Sequence, residues 1–158
     1  MTILSDKGIK NAMQTGILVI EHFAEKNLTP NGYDLTISEI MVGQNGEKFF
    51  EGDVRIPPKT WFAVSSREYV KCGLLVAGHL WIRTTWARKG IISSFGMVDA
   101  GFEGALTLSA YNSSDSEVII PIGQRFAQLV FESLDLPSEK AYAQRSGTYQ
   151  GQTGVRLK

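Results

Sequence analysis

The run Arg83-Thr84-Thr85-Trp86-Ala87-Arg88-Lys89-Gly90 gathers three cations and two hydroxyls in a chain whose 16 Lys+Arg balance 16 Asp+Glu. A chain without net charge has no long-range pull on a polyanion, so a phosphate site must be a local cluster of this kind. Thr84 is a residue type that caps a short helix, where backbone N–H groups and hydroxyls would converge beside Arg83. The planar guanidinium then offers phosphate oxygens a bidentate partner. Taken alone, the run reads rather as an ordinary solvated basic turn. Next comes Gly96-Met97-Val98-Asp99-Ala100-Gly101-Phe102-Glu103-Gly104, a Gly-rich turn with Asp99 and Phe102 three residues apart. On its own, Asp99 reads there as a turn former. Phe102 on its own reads as a core aromatic.

Positioning such groups needs a rigid frame. Ser5 to Met13 reads as a short helix: Ser5 or Asp6 caps it, Ile9 and Met13 lie one turn apart, and Gly16 ends it. Short apolar runs follow, broken by Gly, Pro, Asn and Asp, at Ile17–Ile20, Tyr33–Ile37, Trp61–Ser65, Leu74–Ile82, Ala105–Tyr111, Val118–Ile120 and Phe126–Leu134. Their β-branched and aromatic content predicts strands. Leu106 and Leu108 alternate with Thr107, Ser109 and Tyr111, the period of two that a half-buried strand requires. Many short strands at close spacing predict an all-β sandwich or barrel. The 158 residues fit one domain, residues 1–158, and 43% hydrophobic residues suffice for its core. Residues 138–158 are polar and Gly-rich and read as a flexible C-terminal arm.

Other classes are excluded by what is missing. The single Cys72 permits no internal disulfide and no cysteine-based zinc site, which suits a reducing, cytoplasmic setting. No apolar run reaches the roughly 20 residues of a membrane helix, and Met1 to Lys10 lacks the apolar stretch of a signal peptide. Neither nucleic acid nor a membrane is an expected partner. His22 and His79 stand alone and read as structural, as do Cys72 and the three tryptophans.

Arg83 to Gly90, followed by Asp99 to Gly104, resembles the trimeric dUTPase and dCTP deaminase superfamily. That family pairs an Arg-Ser-Ser-x-Ala-Arg-x-Gly phosphate motif with an Asp-x-x-aromatic-x-Gly hairpin. Three further segments are similar in the expected order. Leu28-Thr29-Pro30-Asn31-Gly32-Tyr33-Asp34-Leu35 resembles the first family motif. Gly123-Gln124-Arg125-Phe126-Ala127-Gln128-Leu129 resembles the fourth, and Tyr149 to Gly154 resembles the C-terminal arm. Ile3-Leu4-Ser5-Asp6 and the arm look like archaeal, deaminase-type members.

The resemblance implies a distorted β-barrel or jelly roll of the dUTPase-like β-clip type, assembled as a homotrimer with sites shared between subunits. It further implies that Asp99 is the base and that Arg83, Thr84, Thr85 and Gln128 bind the triphosphate. Backbone groups of Ser94, Phe95, Gly96 and Met97 would read uracil, and Phe102 would pack under the deoxyribose. From the arm, Arg145 would reach the γ-phosphate, with Tyr149 and Gln152 also contacting substrate. Mg²⁺ would ride on the phosphate oxygens, with Asp34 holding some of its waters. Arg88 and Lys89 are left for subunit or phosphate contacts.

Two chemistries share this family. Deamination of dCTP needs a glutamate ten residues after the hairpin aspartate, and that position is Ser109, which cannot shuttle protons as a carboxylate does. The expected activity is therefore hydrolysis of dUTP to dUMP and pyrophosphate. The alternatives are a dCTP deaminase or bifunctional enzyme, and a non-catalytic nucleotide-binding or protein-binding relative.

Overall fold

The computed structural model describes residues 2–158. After β1 (Thr2–Ile3), Ser5 caps α1 (Asp6–Gln14): its hydroxyl accepts the Gly8 N–H at 3.2 Å, and Ile9 is fully buried. Strands then dominate: β2 (Leu18–Glu21), β3 (Leu28–Thr29), β4 (Gly32–Val42), β5 (Lys48–Phe49), β6 (Asp53–Ile56), β7 (Trp61–Cys72) and β8 (Val76–Ile82). A single helical turn, α2 (Thr84–Ala87), separates these from β9 (Ile91–Ser93), β10 (Met97–Val98), β11 (Glu103–Asn112), β12 (Val118–Pro121) and β13 (Arg125–Ser133). α3 (Tyr142–Arg145) is a second such turn, in the tail. With 46% strand against 13% helix, the chain has the all-β, half-barrel architecture of the dUTPase type.

Every strand pair is antiparallel. The main sheet runs β10-β8-β13-β4-β7-β11-β9, and β6 with β12 forms a separate ribbon. β4 is the hinge of the curl: Tyr33 to Thr36 pair with β13, whereas Ile37 to Val42 pair with β7. Irregularities in register accompany both pairings. Bulges of this sort bend a strand and increase its twist, which lets one sheet close over its own core. At the centre, Phe126 meets Phe62, Trp86 and Phe95 at ring-centroid distances of 6.0, 6.3 and 6.5 Å. Buried aromatics at such spacings carry much of a small core's stability.

β4 and β7 extend well past the apolar runs that announce them. Their buried stretches include Thr36, Glu39, Ser65, Ser66 and Glu68, so apolar alternation breaks down while the strands continue. Those polar groups have partners: Ser66 Oγ accepts from the Leu106 N–H at 2.8 Å, and Glu68 accepts from the Thr36 N–H at 2.8 Å. A buried polar side chain is tolerable on those terms.

The tail departs from the mobile arm expected of it. β9 covers β11 only from Ala110 to Asn112, leaving the strand edge open nearer its start. The tail fills that edge with backbone: Gly151 N–H donates to Glu103 O at 2.8 Å and Ala105 N–H to Gln152 O at 2.9 Å. Val155 packs with Met41 and Ala63, and Lys48 Nζ donates to its carbonyl at 3.2 Å. An open edge leaves main-chain groups unpaired, and docking satisfies them.

Candidate functional site

Asp34 organises the first half of the site. It lies on β4, 3% exposed, and its Oδ2 accepts from Arg83 Nε at 2.9 Å and from Arg125 Nη1 at 3.2 Å. Burial raises the Asp34 carboxyl above its ordinary range, and the two guanidiniums oppose that without reversing it. Gln128 sits across from Asp34 in the β13–β4 register, and its Nε2 donates to Thr29 Oγ1 at 2.8 Å. Arg83 is the N-cap of α2, with Thr84 and Thr85 exposed at its first positions. The cap is therefore Arg83 rather than Thr84, and it uses no side-chain bond. Trp86 anchors this turn: it is buried, and its indole N–H donates to Arg125 O at 2.8 Å.

Arg125 was not singled out in the sequence, although it stands inside the fourth motif. Gln128 is three positions further along, so an ideal strand would aim the two at opposite faces. The bulge after Arg125 changes the parity. Arg125 pairs with Thr36 and Gln128 with Asp34, two positions that share one face of β4. One extra residue in β13 thus turns a second guanidinium toward Asp34.

The second half is the Asp99 hairpin with the tail packed on it. Asp99 is exposed, and its carbonyl accepts from the Phe102 N–H at 3.1 Å across a turn with Gly101 at φ +82°. Only glycine sits easily there, and a Cβ on Gly101 would also lie 2.5 Å from Ala141 Cβ. Phe102 is buried, edge-on to Tyr142 at 5.4 Å, so in one chain it presents no open face to a sugar. Gln152 is buried as well, and its Nε2 donates to Ala105 O at 2.8 Å, which commits it to the fold rather than to an open substrate surface. Arg145 pairs loosely with Glu139 at 3.5 Å, and Tyr149 is half-exposed. Nearby Cys72 is buried, and that burial, aided by Asp99, pushes its thiol up to about 12. It is inert at neutral pH.

The two halves lie at opposite ends of β8. Val98 pairs with Gly78, and Arg83 follows the end of β8 five residues beyond Gly78, a backbone span of about 17 Å. Between them Ser94, Phe95, Gly96 and Met97 line a cleft of about 350 Å³ with His79, Leu80, Trp81 and Ile82. A further cleft of about 270 Å³ holds Ser109 among Trp61, Ile92, Ser93, Ser94 and Tyr111, with no acidic or histidine side chain in its lining. No group of three or more His, Cys, Asp or Glu side chains suited to a metal occurs among the described residues. Asp34, expected to hold waters of Mg²⁺, faces two guanidiniums instead. The residues present do not fit a resident metal ion.

A family model described as dCTP deaminase-like matches residues 46–134. A dCTP deaminase of Thermococcus sibiricus is 43% identical over 145 residues, covering 89% of each chain. A probable deoxyuridine 5'-triphosphate nucleotidohydrolase of Sulfolobus islandicus rod-shaped virus 1 is 36% identical over 157 residues, 98% of this chain and 97% of that one. Among solved structures, the dCTP deaminase of Agrobacterium tumefaciens superposes with a TM-score of 0.69 at 16% identity over 82% of this chain. This chain spans 47% of that longer one. The EIAV dUTPase superposes with a TM-score of 0.58 at 19% identity, covering 82% of this chain and 98% of that one. The chain belongs to the dCTP deaminase-like family, within the dUTPase and dCTP deaminase superfamily.

Proposed function

We propose that the protein is a dUTP diphosphatase, hydrolysing dUTP to dUMP and pyrophosphate. Ser109 carries this reading. It stands where deamination calls for a glutamate, and the cleft around it offers no other carboxylate or imidazole. Without such a group, no proton shuttle serves the amino group of a cytosine.

In the proposed reaction a carboxylate oxygen of Asp99 takes a proton from a water whose oxygen bonds to the α-phosphorus. The bond from that phosphorus to the bridging oxygen breaks, and pyrophosphate leaves with its electron pair. Arg83 and Arg125, held in place by Asp34, neutralise the phosphate oxygens, with the Thr84 and Thr85 hydroxyls beside them. Gln128, fixed by Thr29, lines the same cradle. Mg²⁺ is part of the substrate, entering on the triphosphate oxygens. Ser94 to Met97 offer the uracil edge backbone donors and acceptors, and the exposed Arg145 can leave Glu139 for the terminal phosphate.

Asp99 and Arg83 are too far apart in one chain to act on one phosphate. A homotrimer, in which the hairpin and tail of one copy face the Asp34 cradle of the next, brings them together. Conversion of Asp99 to Asn tests the base: a folded variant with near-normal dUTP turnover rules the mechanism out.

The naming of relatives at around 40% identity as dCTP deaminases favours a second reading, that dCTP is also deaminated. Ammonia release from dCTP at a rate matching pyrophosphate release from dUTP would support it.

A further inference from the structure

Beside the Asp34 cradle lies a cleft of about 270 Å³ that shares only Arg125 with the proposed reaction. It is bounded by the turn at Glu25–Asn27, by β4 and β7, and by the turn leading into β13. We propose that this cleft is a second ligand site, for a small phosphate ester that carries hydroxyl donors. The inference does not depend on which nucleotide the enzyme hydrolyses.

The floor of the cleft lacks donors. Asn27 lines it, is 2% exposed, and its Oδ1 has no hydrogen-bond partner among the described residues. Its Nδ2 is well used, donating to Thr36 Oγ1 at 2.8 Å. Glu68, 1% exposed, is held firmly at Oε2 by the Thr36 N–H at 2.8 Å. Its Oε1 has only long contacts, at 3.4 Å from Asn27 Nδ2 and 3.5 Å from the Tyr33 hydroxyl. An acceptor left unpaired in a protein interior carries a desolvation cost that a bound O–H or N–H removes. Burial also raises the Glu68 carboxyl above its ordinary range, against hydrogen bonds from Thr36 and the charge of Arg67.

The rim has the opposite character. Lys26 and Arg67 are exposed and form no salt bridge among the described residues, and Arg125, already paired with Asp34, lies on the same rim. Two unpaired cations and a third shared with Asp34, over a floor of acceptors, match a ligand with an anionic end outward and hydroxyls inward. A sugar phosphate has both ends and a size suited to the volume.

Arg125 also belongs to the neighbouring site. Its Nη1 reaches Asp34 Oδ2 at 3.2 Å and the Lys26 carbonyl at 3.5 Å. An anion on the rim competes with Asp34 for this guanidinium. Occupancy of the cleft is thereby coupled to the cradle through one side chain.

Titration of the full-length protein with ribose 5-phosphate, with inorganic phosphate and ribose as its separate parts, tests the proposal. Calorimetry reads the affinity, and NMR follows the Asn27 side-chain amide. Ribose 5-phosphate is expected to bind more tightly than either part and to shift the Asn27 signals. The exposed substitution Arg67→Gln should weaken binding roughly tenfold, more than Arg83→Gln does. Absence of binding at about 10 mM ligand overturns the proposal and leaves Asn27 to an ordered water. So does equal affinity for inorganic phosphate, or binding lost with Arg83→Gln and kept with Arg67→Gln.

Discussion

Arg83 Nε and Asp34 Oδ2 lie 2.9 Å apart, joining the residue that follows β8 to the start of the first-motif strand two strands away. Conversion of Asp34 to Asn leaves Arg83 and Arg125 without their shared counter-charge. The side chains of Arg83 and Arg125 are 26% and 41% exposed, so water screens part of the loss. A destabilisation of about 1–2 kcal/mol is expected, with weaker substrate binding. Thermal unfolding and KM measure the two effects. A metal-holding role would instead raise the Mg²⁺ requirement and leave the melting temperature unchanged.

The separation of Asp99 from Arg83 along β8 has a genetic signature. Asp99→Asn and Arg83→Gln should each be inactive alone. Unfolded together and reassembled in equal amounts, they regain activity, because some interfaces combine one intact Asp99 with one intact Arg83. Random trimers restore about a quarter of the sites. Mixtures as inactive as their components would place the whole site within one chain.

Glu68 gives a pH-dependent stability difference. Burial raises its carboxyl above the ordinary 4.5, so ionisation costs more in the folded chain than in the unfolded one. Its contribution to stability is full below 4.5 and is lost as pH rises through the raised folded value. Glu68→Gln lacks this term. The stability of the wild type relative to the variant is therefore expected to fall as pH rises above 4.5, as read by denaturant unfolding. Parallel curves for the two proteins would refute the assignment.

Docking of the tail along β11 makes Gln152 a structural residue. Gln152→Ala removes a buried bond to Ala105 O and opens a small void. A cost of about 1–3 kcal/mol is expected, with faster amide exchange at Ala105 than in the wild type. Unchanged exchange there would mean that the tail does not hold this edge in solution.

Much of this organisation is legible in the sequence. Ser5 before Ile9 and Met13 marks α1, and the alternation at Leu106 and Leu108 marks β11. The five motifs point to the superfamily that the comparisons bear out. What escapes is whatever depends on backbone pairing. The aim of Arg125 depends on a bulge that no residue type announces. The tail docks through main-chain hydrogen bonds, which leave no period in side chains. β5 and β10 are two residues long, too short for any alternation to show. Nor does composition disclose that Asp34 is already engaged by two arginines, since that requires three strands in register.

The central claim is the choice of nucleotide. The protein should be incubated with Mg²⁺ and either dUTP or dCTP, following pyrophosphate by ³¹P NMR and ammonia by a coupled assay. The account predicts dUMP and pyrophosphate from dUTP, and no ammonia from dCTP. Ammonia from dCTP, with dUTP left intact, would contradict it.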